Sequence, residues 1–270
     1  MSFKNFIPAL VSCGIVAVPQ SGLTQEQAGS GISNSPTSSK PYFKSGLYAG
    51  ASVGFTSSNL NTNYNASGPG IYNPPSSYWR TSSLAAINGS SLSNENYQAV
   101  SGSVFAGYNI AWKGIVLSPE AALDFGNRSF SSNTGGITYP CCAGNVNVGQ
   151  SINSSFGSNF RLRAGVPVKA FMPYVFGGLS WRNINVQNSF SDSFGHNATQ
   201  NTMTGTWGYI LGGGIEYALS RRVSLRAEYG YDAYTLPQQS VSSANATSDS
   251  VAFGNYLSAG SGTIGVVYKF

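Results

Sequence analysis

The amino-acid sequence predicts an all-β fold: an eight-stranded antiparallel up-and-down transmembrane β-barrel. Three observations predict it. Residues 263–270 alternate with period two: Ile264, Val266, Tyr268 and Phe270 share one face, and Thr263, Gly265, Val267 and Lys269 share the other. A last strand that closes a barrel and ends in an aromatic girdle accounts for that pattern better than a buried strand of a water-soluble protein. The composition agrees. Charged residues make up 9% of the 270 and glycine, tyrosine and phenylalanine number 33, 16 and 15, whereas water-soluble domains carry about a quarter charged residues. No window holds the roughly 18 apolar residues of a membrane helix, and a strand that shows lipid only every second residue keeps mean hydropathy near zero, here −0.08. The third observation is the rhythm of the connections, which emerges along the chain.

Residues 1–19 read as a signal peptide. Lys4 supplies the positive start and residues 6–18 an apolar run, with cleavage placed between Ala17 and Ala28. Cys13 sits in a stretch similar to a lipoprotein box, but the apolar run continues past it. Residues 20–44 are polar and read as a flexible leader, and 45–270 as the barrel. The first strand, 46–55, puts Leu47, Ala49, Ala51, Val53 and Phe55 on one face. A long loop is expected at 57–96, broken by Pro74 and Pro75. The second strand, about 97–112, faces Val104, Ala106, Tyr108 and Ile110 outward, and Trp112, Lys113 and Gly114 make a tight turn. The third, 115–126, turns Leu117, Ala121, Leu123 and Phe125 out and Ser118, Glu120 and Asp124 in. A loop at 127–150 follows. The fourth, about 152–166, puts Phe156, Phe160, Leu162 and Ala164 out and Asn159, Arg161 and Arg163 in. A turn at 167–170 leads to the fifth, about 171–183, with Val175, Leu179 and Trp181 out and Tyr174, Ser180 and Arg182 in. After a polar loop at 184–204 comes the sixth, 206–219, with Trp207, Tyr209, Leu211, Ile215 and Tyr217 out and Glu216 in. A turn at 219–222 precedes the seventh, where Val223, Leu225, Ala227, Tyr229 and Tyr231 face out and Ser224, Arg226, Glu228 and Asp232 face in. A loop at 235–251 leads to the eighth, about 253–270. Connections thus alternate long and short, as in an up-and-down membrane barrel with short turns at one end and long loops at the other.

The charges follow the same faces. Glu120, Asp124, Arg161, Arg163, Arg182, Glu216, Arg226, Glu228 and Asp232 all fall on inward positions. A basic side chain facing lipid at mid-membrane costs about 2–4 kcal/mol, which explains the segregation. An eight-stranded barrel is just wide enough for side chains to fill it, and buried charges must be paired. A lumenal ion-pair network that plugs the barrel and fixes its register is therefore expected. A selective ion path is the alternative; the near cancellation of signs favours the plug.

Several motifs resemble the small opacity-type outer-membrane barrels of Gram-negative bacteria, of the same eight-stranded kind as the OmpA and OmpX barrels. They are Gly46-Leu47-Tyr48-Ala49-Gly50, Gly107-Tyr108-Asn109, Phe160-Arg161-Leu162-Arg163-Ala164-Gly165, Pro173-Tyr174-Val175-Phe176-Gly177-Gly178, Gly212-Gly213-Gly214-Ile215-Glu216-Tyr217 and Leu225-Arg226-Ala227-Glu228-Tyr229. The resemblance spans about 43–270. It implies an integral outer-membrane location, with the long loops extracellular and the termini periplasmic. It also implies that the terminal aromatics, Tyr268 and Phe270, form part of a signal read by the barrel assembly machinery. It implies no reaction, because the family shares none. No segment follows the last strand, so a peptidoglycan-binding tail like that of OmpA-type proteins is not expected.

Candidate chemistry outside the lumen is sparse. Acyl hydrolysis wants Ser, His and a carboxylate together, and the single histidine, His196, lies in an expected loop. Cys141 and Cys142 are adjacent, which in an oxidising compartment suits a vicinal disulfide or two mixed bonds, or else two free thiols; no His or further Cys stands near to complete a metal site. Gly212, Gly213 and Gly214 lie within an alternating strand, where glycine serves bending or close packing rather than phosphate binding. The net charge of +5 forms no basic stripe, so nucleic acid is not an expected partner. The expected role is non-enzymatic: envelope integrity and display of four surface loops, with outer-membrane lipids and host or extracellular ligands as partners and no cofactor or metal. A small porin-like channel is the alternative, and a lipid or peptide hydrolase a further one.

Overall fold

Eight long strands hydrogen-bond into one closed ring in the computed structural model, which describes residues 42–74, 77–92, 95–140, 143–243 and 246–270. The signal peptide, almost all of the leader and the pair Cys141 and Cys142 lie outside the described residues. In chain order the elements are β1 (Gly46–Ser67), α1 (Thr81–Asn88), β2 (Glu95–Trp112), β3 (Ile115–Asn133), β4 (Ile137–Thr138), β5 (Asn145–Gly165), β6 (Phe171–Asp192), β7 (Asn197–Ala218), β8 (Val223–Thr235), β9 (Gln239–Ser243) and β10 (Ala246–Lys269). The ring runs β1, β2, β3, β5, β6, β7, β8, β10 and back to β1, with β4 on β5 and β9 on β10 as short additions. Closure is antiparallel, from Tyr48 opposite Lys269 to Ser67 opposite Ser250. No edge is left unpaired along that seam, the condition for a sheet to stand in lipid.

The lower half of every long strand follows the predicted faces. Leu47, Val53, Phe55, Phe160, Val175, Leu179, Trp207, Leu211, Tyr229, Ile264 and Val266 are exposed on the outside. Glu120, Arg163, Glu216 and Ser224 are buried within. On β1 the apolar outer positions run from Leu47 to Phe55, nine residues that at about 3.3 Å each and with strand tilt match a lipid band of about 25 Å. Aromatics rim the band. Phe125 contacts Phe156 at 5.7 Å between centroids, and Phe156 contacts Trp181 at 6.4 Å, along one rim. Phe171 with Tyr217 at 4.7 Å and Tyr268 with Phe270 at 5.1 Å lie along the other.

The expected long loops are where the structure departs from the sequence reading. The segment 184–204 is no loop: β6 and β7 stay paired up to Ser191 opposite Asn197, leaving only residues 192–196 between them. Likewise β1 runs on to Ser67, β3 to Asn133, and β5 starts at Asn145. The barrel therefore continues well past the lipid band. In that upper part the dressing is reversed. On β1 the outward residues are Ser57, Asn59, Asn61, Asn63 and Asn65, while Leu60, Tyr64 and Ala66 point in. On β6, Asn185 and Gln187 are outside, and Ile184, Val186 and Phe190 are buried. A pattern sought as apolar-outside is invisible there. On β5 the inward phase also shifts, from Val146, Val148 and Ile152 to Asn159, Arg161 and Arg163, across an irregularity between Asn153 and Gly157. A bulge of this kind inserts one residue and so changes the facing set.

Candidate functional site

Inside the lipid band the lumen is filled by ion pairs, and strand register sets them. Glu120 on β3 lies opposite Arg161 on β5, and Glu216 on β7 opposite Arg226 on β8. Arg161 bonds Glu120 through its Nε at 2.7 Å and pairs with Glu228 at 2.9 Å. Across the lumen Arg226 reaches Glu120 at 2.8 Å, and Arg163 touches Glu120 and Glu216 at 3.3 Å each. Lys269 adds a contact to Glu216 at 2.9 Å. Two tyrosines complete the shell: Tyr48 donates to Glu120 at 2.8 Å and Tyr174 to Glu228 at 2.7 Å. The guanidiniums lie over ring faces, Arg163 4.0 Å from the Tyr174 centroid and Arg226 4.2 Å from Phe105. Such multiple partners offset the desolvation that makes a buried charge costly.

The structure thus brings Glu120, Arg161, Arg163, Glu216, Arg226 and Glu228 into one cluster. Asp124, Arg182 and Asp232 stand apart from it, one level higher. Asp124 accepts from Asn159 at 2.7 Å, and Asp232 pairs with Arg128 at 3.0 Å. Arg182 lies 5.9 Å from the Tyr234 ring centroid. Arg128 was missed by the sequence reading because the third strand was expected to end at Gly126, whereas β3 runs on to Asn133 with the same even-numbered residues inward. Its inward position, two residues before buried Phe130, is the signal that reveals it. Between the two levels is a cavity of about 70 Å³ lined by Asp124, Arg128, Asn159, Arg161, Arg182 and Asp232, among others. The space is polar and has room for a few ordered waters.

Above the lumen the upper barrel has an apolar core capped by the first connection. Trp79, Ile87 and Leu92 from that connection pack with Val146, Val148, Phe190, Val251 and Phe253. Polar anchors hold the cap in place. Asp249 accepts Ser77 Oγ at 2.9 Å and the backbone N–H groups of Tyr78 and Trp79 at 2.7 and 3.1 Å. Asn88, at the end of α1, both donates to and accepts from the backbone of Ala66.

At the tip, His196 bonds Asp192 through Nδ1 at 2.8 Å, and its ring lies 3.8 Å from that of Tyr78. Asp192 also accepts the N–H groups of Phe194 and His196, each at 2.9 Å, and Tyr139 Oη at 3.3 Å. Burial pushes the Tyr139 phenol above its ordinary pKa, which keeps it a neutral donor. Its hydroxyl also accepts from Trp79 Nε1 at 3.1 Å. The chain of bonds from Asp192 through Tyr139 to Trp79 therefore ties three connections together, and His196 adds its bond to Asp192 and its ring contact with Tyr78; acyl hydrolysis needs a Ser–His contact instead. A cleft of about 500 Å³ opens here, lined by Tyr72, Tyr78, Arg80, Tyr139, Phe194 and His196 among others.

At the opposite end Tyr268 and Phe270 face outward, 41% and 79% exposed, and Phe270 N–H bonds Leu47 O at 3.0 Å to close the ring. Among the described residues no cluster of His, Cys, Asp and Glu suits a metal ion.

The model of the outer membrane protein beta-barrel domain family matches residues 28–270. No curated protein sequence matches the chain. Among solved structures, Neisserial surface protein A is similar at 14% identity and a TM-score of 0.41, covering 83% of this chain and 97% of that one. OprG from Pseudomonas aeruginosa is similar at 10% identity and a TM-score of 0.41, covering 85% and 99%. The outer membrane protease OmpT from Escherichia coli is similar at 9% identity and a TM-score of 0.39, covering 83% and 97%.

Proposed function

The chain belongs to the outer membrane protein β-barrel domain family and is an integral outer-membrane barrel; we propose that it works as a closed, non-enzymatic scaffold that displays a rigid tip outside the cell. In this reading the long-loop end faces the exterior and the turns at 113–114, 167–170 and 219–222 face the periplasm. The asymmetry of the two ends supports that orientation, because membrane barrels of this kind have short periplasmic turns and longer extracellular connections. The cleft lined by Tyr72, Tyr78, Arg80 and Phe194 is the surface offered to host or extracellular ligands. Tyr268 and Phe270 serve the barrel assembly machinery, as in the proteins the sequence resembles.

The observation that carries the closed reading is the lumen itself. The Glu120 cluster occupies it below and the apolar cap above, with a cavity of about 70 Å³ between. A porin of the large kind leaves an aqueous channel because its ring is about twice as wide. The protein reconstituted in planar lipid bilayers is expected to pass no steady current. A sustained single-channel current from the wild-type chain contradicts the closed scaffold and favours the small-channel reading.

A further inference from the structure

The turn end of the barrel carries a charge pattern that neither the lumen nor the tip explains. Lys44, Lys113, Lys169, Arg221 and Arg222 are all exposed there, on the three turns and beside the start of β1. The acidic side chains that the structure describes lie elsewhere: Glu120, Asp124, Glu216, Glu228 and Asp232 in the lumen, and Asp192 and Asp249 at the opposite end. Two of the lysines occupy a costly backbone conformation: φ is 46° at Lys113 and 57° at Lys169, a left-handed region that glycine or asparagine enters more cheaply.

Depth fixes what these cations meet. Each stands within three residues of an outward apolar anchor: Lys44 near Leu47, Lys113 after Trp112, Lys169 before Phe171, and Arg221 and Arg222 between Leu219 and Leu225, all exposed on the lipid face. Lys113 Nζ lies 5.0 Å from the Trp112 ring. The charges therefore sit at headgroup level, immediately beyond the aromatic rim. The densest group borders a cleft of about 240 Å³ lined by Tyr42, Lys44, Leu47, Arg221, Arg222 and Phe270, among others. Its walls turn from basic to apolar toward the lipid band, the order of a phospholipid from phosphate to acyl chain.

We propose that this rim is a docking surface for anionic phospholipid headgroups, with the Lys44, Arg221 and Arg222 cleft as its main seat. Basic clusters next to a membrane attract anionic lipid through the sum of many modest contacts. The surface orders a negatively charged lipid shell around one end of the barrel and holds the barrel at a fixed depth.

Spin-labelled phosphatidylglycerol and phosphatidylcholine, each traced in phosphatidylcholine vesicles holding the folded full-length barrel, report the motionally restricted fraction of each lipid. The labelled phosphatidylglycerol is expected to be enriched roughly fivefold, about the factor a single favourable headgroup charge contact gives, and to lose that enrichment in molar salt. The variant carrying Lys113→Asn, Lys169→Asn, Arg221→Ser and Arg222→Ser keeps turn-compatible residues and is expected to restrict both lipids equally. The milder pair Arg221→Ser and Arg222→Ser, should the fourfold variant misfold, is expected to lose about half the preference. Equal restriction of both lipids by the wild type, or a preference unchanged in a folded variant, overturns the proposal. So does displacement of the labelled lipid by millimolar inorganic phosphate, which marks a free-anion site, or by soluble peptidoglycan fragments, which marks a wall-binding surface.

Discussion

Two regions of one continuous sheet solve opposite problems with the same period of two. Around the Glu120 cluster the barrel is apolar outside and charged inside. Around Trp79 and Phe253 it is polar outside and apolar inside. The change of chemistry happens within a single strand: on β1 the outward residue is Phe55, 74% exposed, and two positions on it is Ser57, followed by a run of asparagines. The sheet, its pairing with β10 and its inward phase continue unbroken across that point. What changes is the solvent. In lipid, backbone satisfaction and an apolar exterior are mandatory, and the narrow lumen is left to pairs such as Arg161 with Glu120. In water, the hydrophobic effect regains its role, and the upper barrel closes over side chains such as Ile184, Val186 and Leu257 like an ordinary core.

The difference can be broken from either side. Trp79→Ala removes the central side chain of the cap, 2% exposed, and is expected to cost about 3–5 kcal/mol of local stability. Loss of the cap should make the first connection cleavable by protease while the lipid-band barrel keeps its heat-modifiable mobility on gels. Val53→Arg and Asn61→Arg test the two exteriors on one face of one strand. The first is expected to cost about 2–4 kcal/mol at mid-membrane, and the second to fall within about 0.5 kcal/mol as an ordinary surface change; refolding yields into lipid vesicles read both. Asp249→Ala strips the donors of Ser77, Tyr78 and Trp79 of their shared carboxylate, and about 1.5–3 kcal/mol is expected for hydrogen bonds to a charged group. Faster amide exchange confined to residues 77–92 is the readout.

How much of this was legible in the sequence divides along the same line. The lipid-band faces were legible because a strand between lipid and a charged lumen makes the strongest contrast period two can make: Leu162 against Arg161 and Arg163, Ile215 against Glu216. Ring order and the inward set followed from that contrast. The upper strands were not legible, because Ser57-Ser58-Asn59-Leu60-Asn61-Thr62-Asn63-Tyr64 reads as a loop when apolar residues are sought on the outside; read the other way round, Leu60 and Tyr64 mark the inner face. The helix α1 was hidden by weak signals: Arg80 precedes it without a side-chain cap, and only Gly89 marks its end. The split of the lumen into two levels was beyond periodicity altogether. Period two says that Asp124 and Arg161 both point inward, but the height at which each meets a partner is set by strand tilt, so Asp124 meets Asn159 and leaves Glu120 to Arg161.

The central claim is that the lumen is a stabilising plug built of mutually dependent charges. Urea unfolding of the reconstituted barrel, followed by gel mobility for the wild type, Arg161→Ala and Arg80→Ala, tests it most directly. Removing Arg161 takes a partner from both Glu120 and Glu228, where breaking a buried pair costs about 3–5 kcal/mol and lumenal water lowers that toward about 3. Arg80 lies exposed in the first connection, over the Tyr72 ring at 5.6 Å, and its loss should leave the midpoint in place. A midpoint lowered by Arg161→Ala alone is the predicted result; equal midpoints for the two variants would contradict the plug.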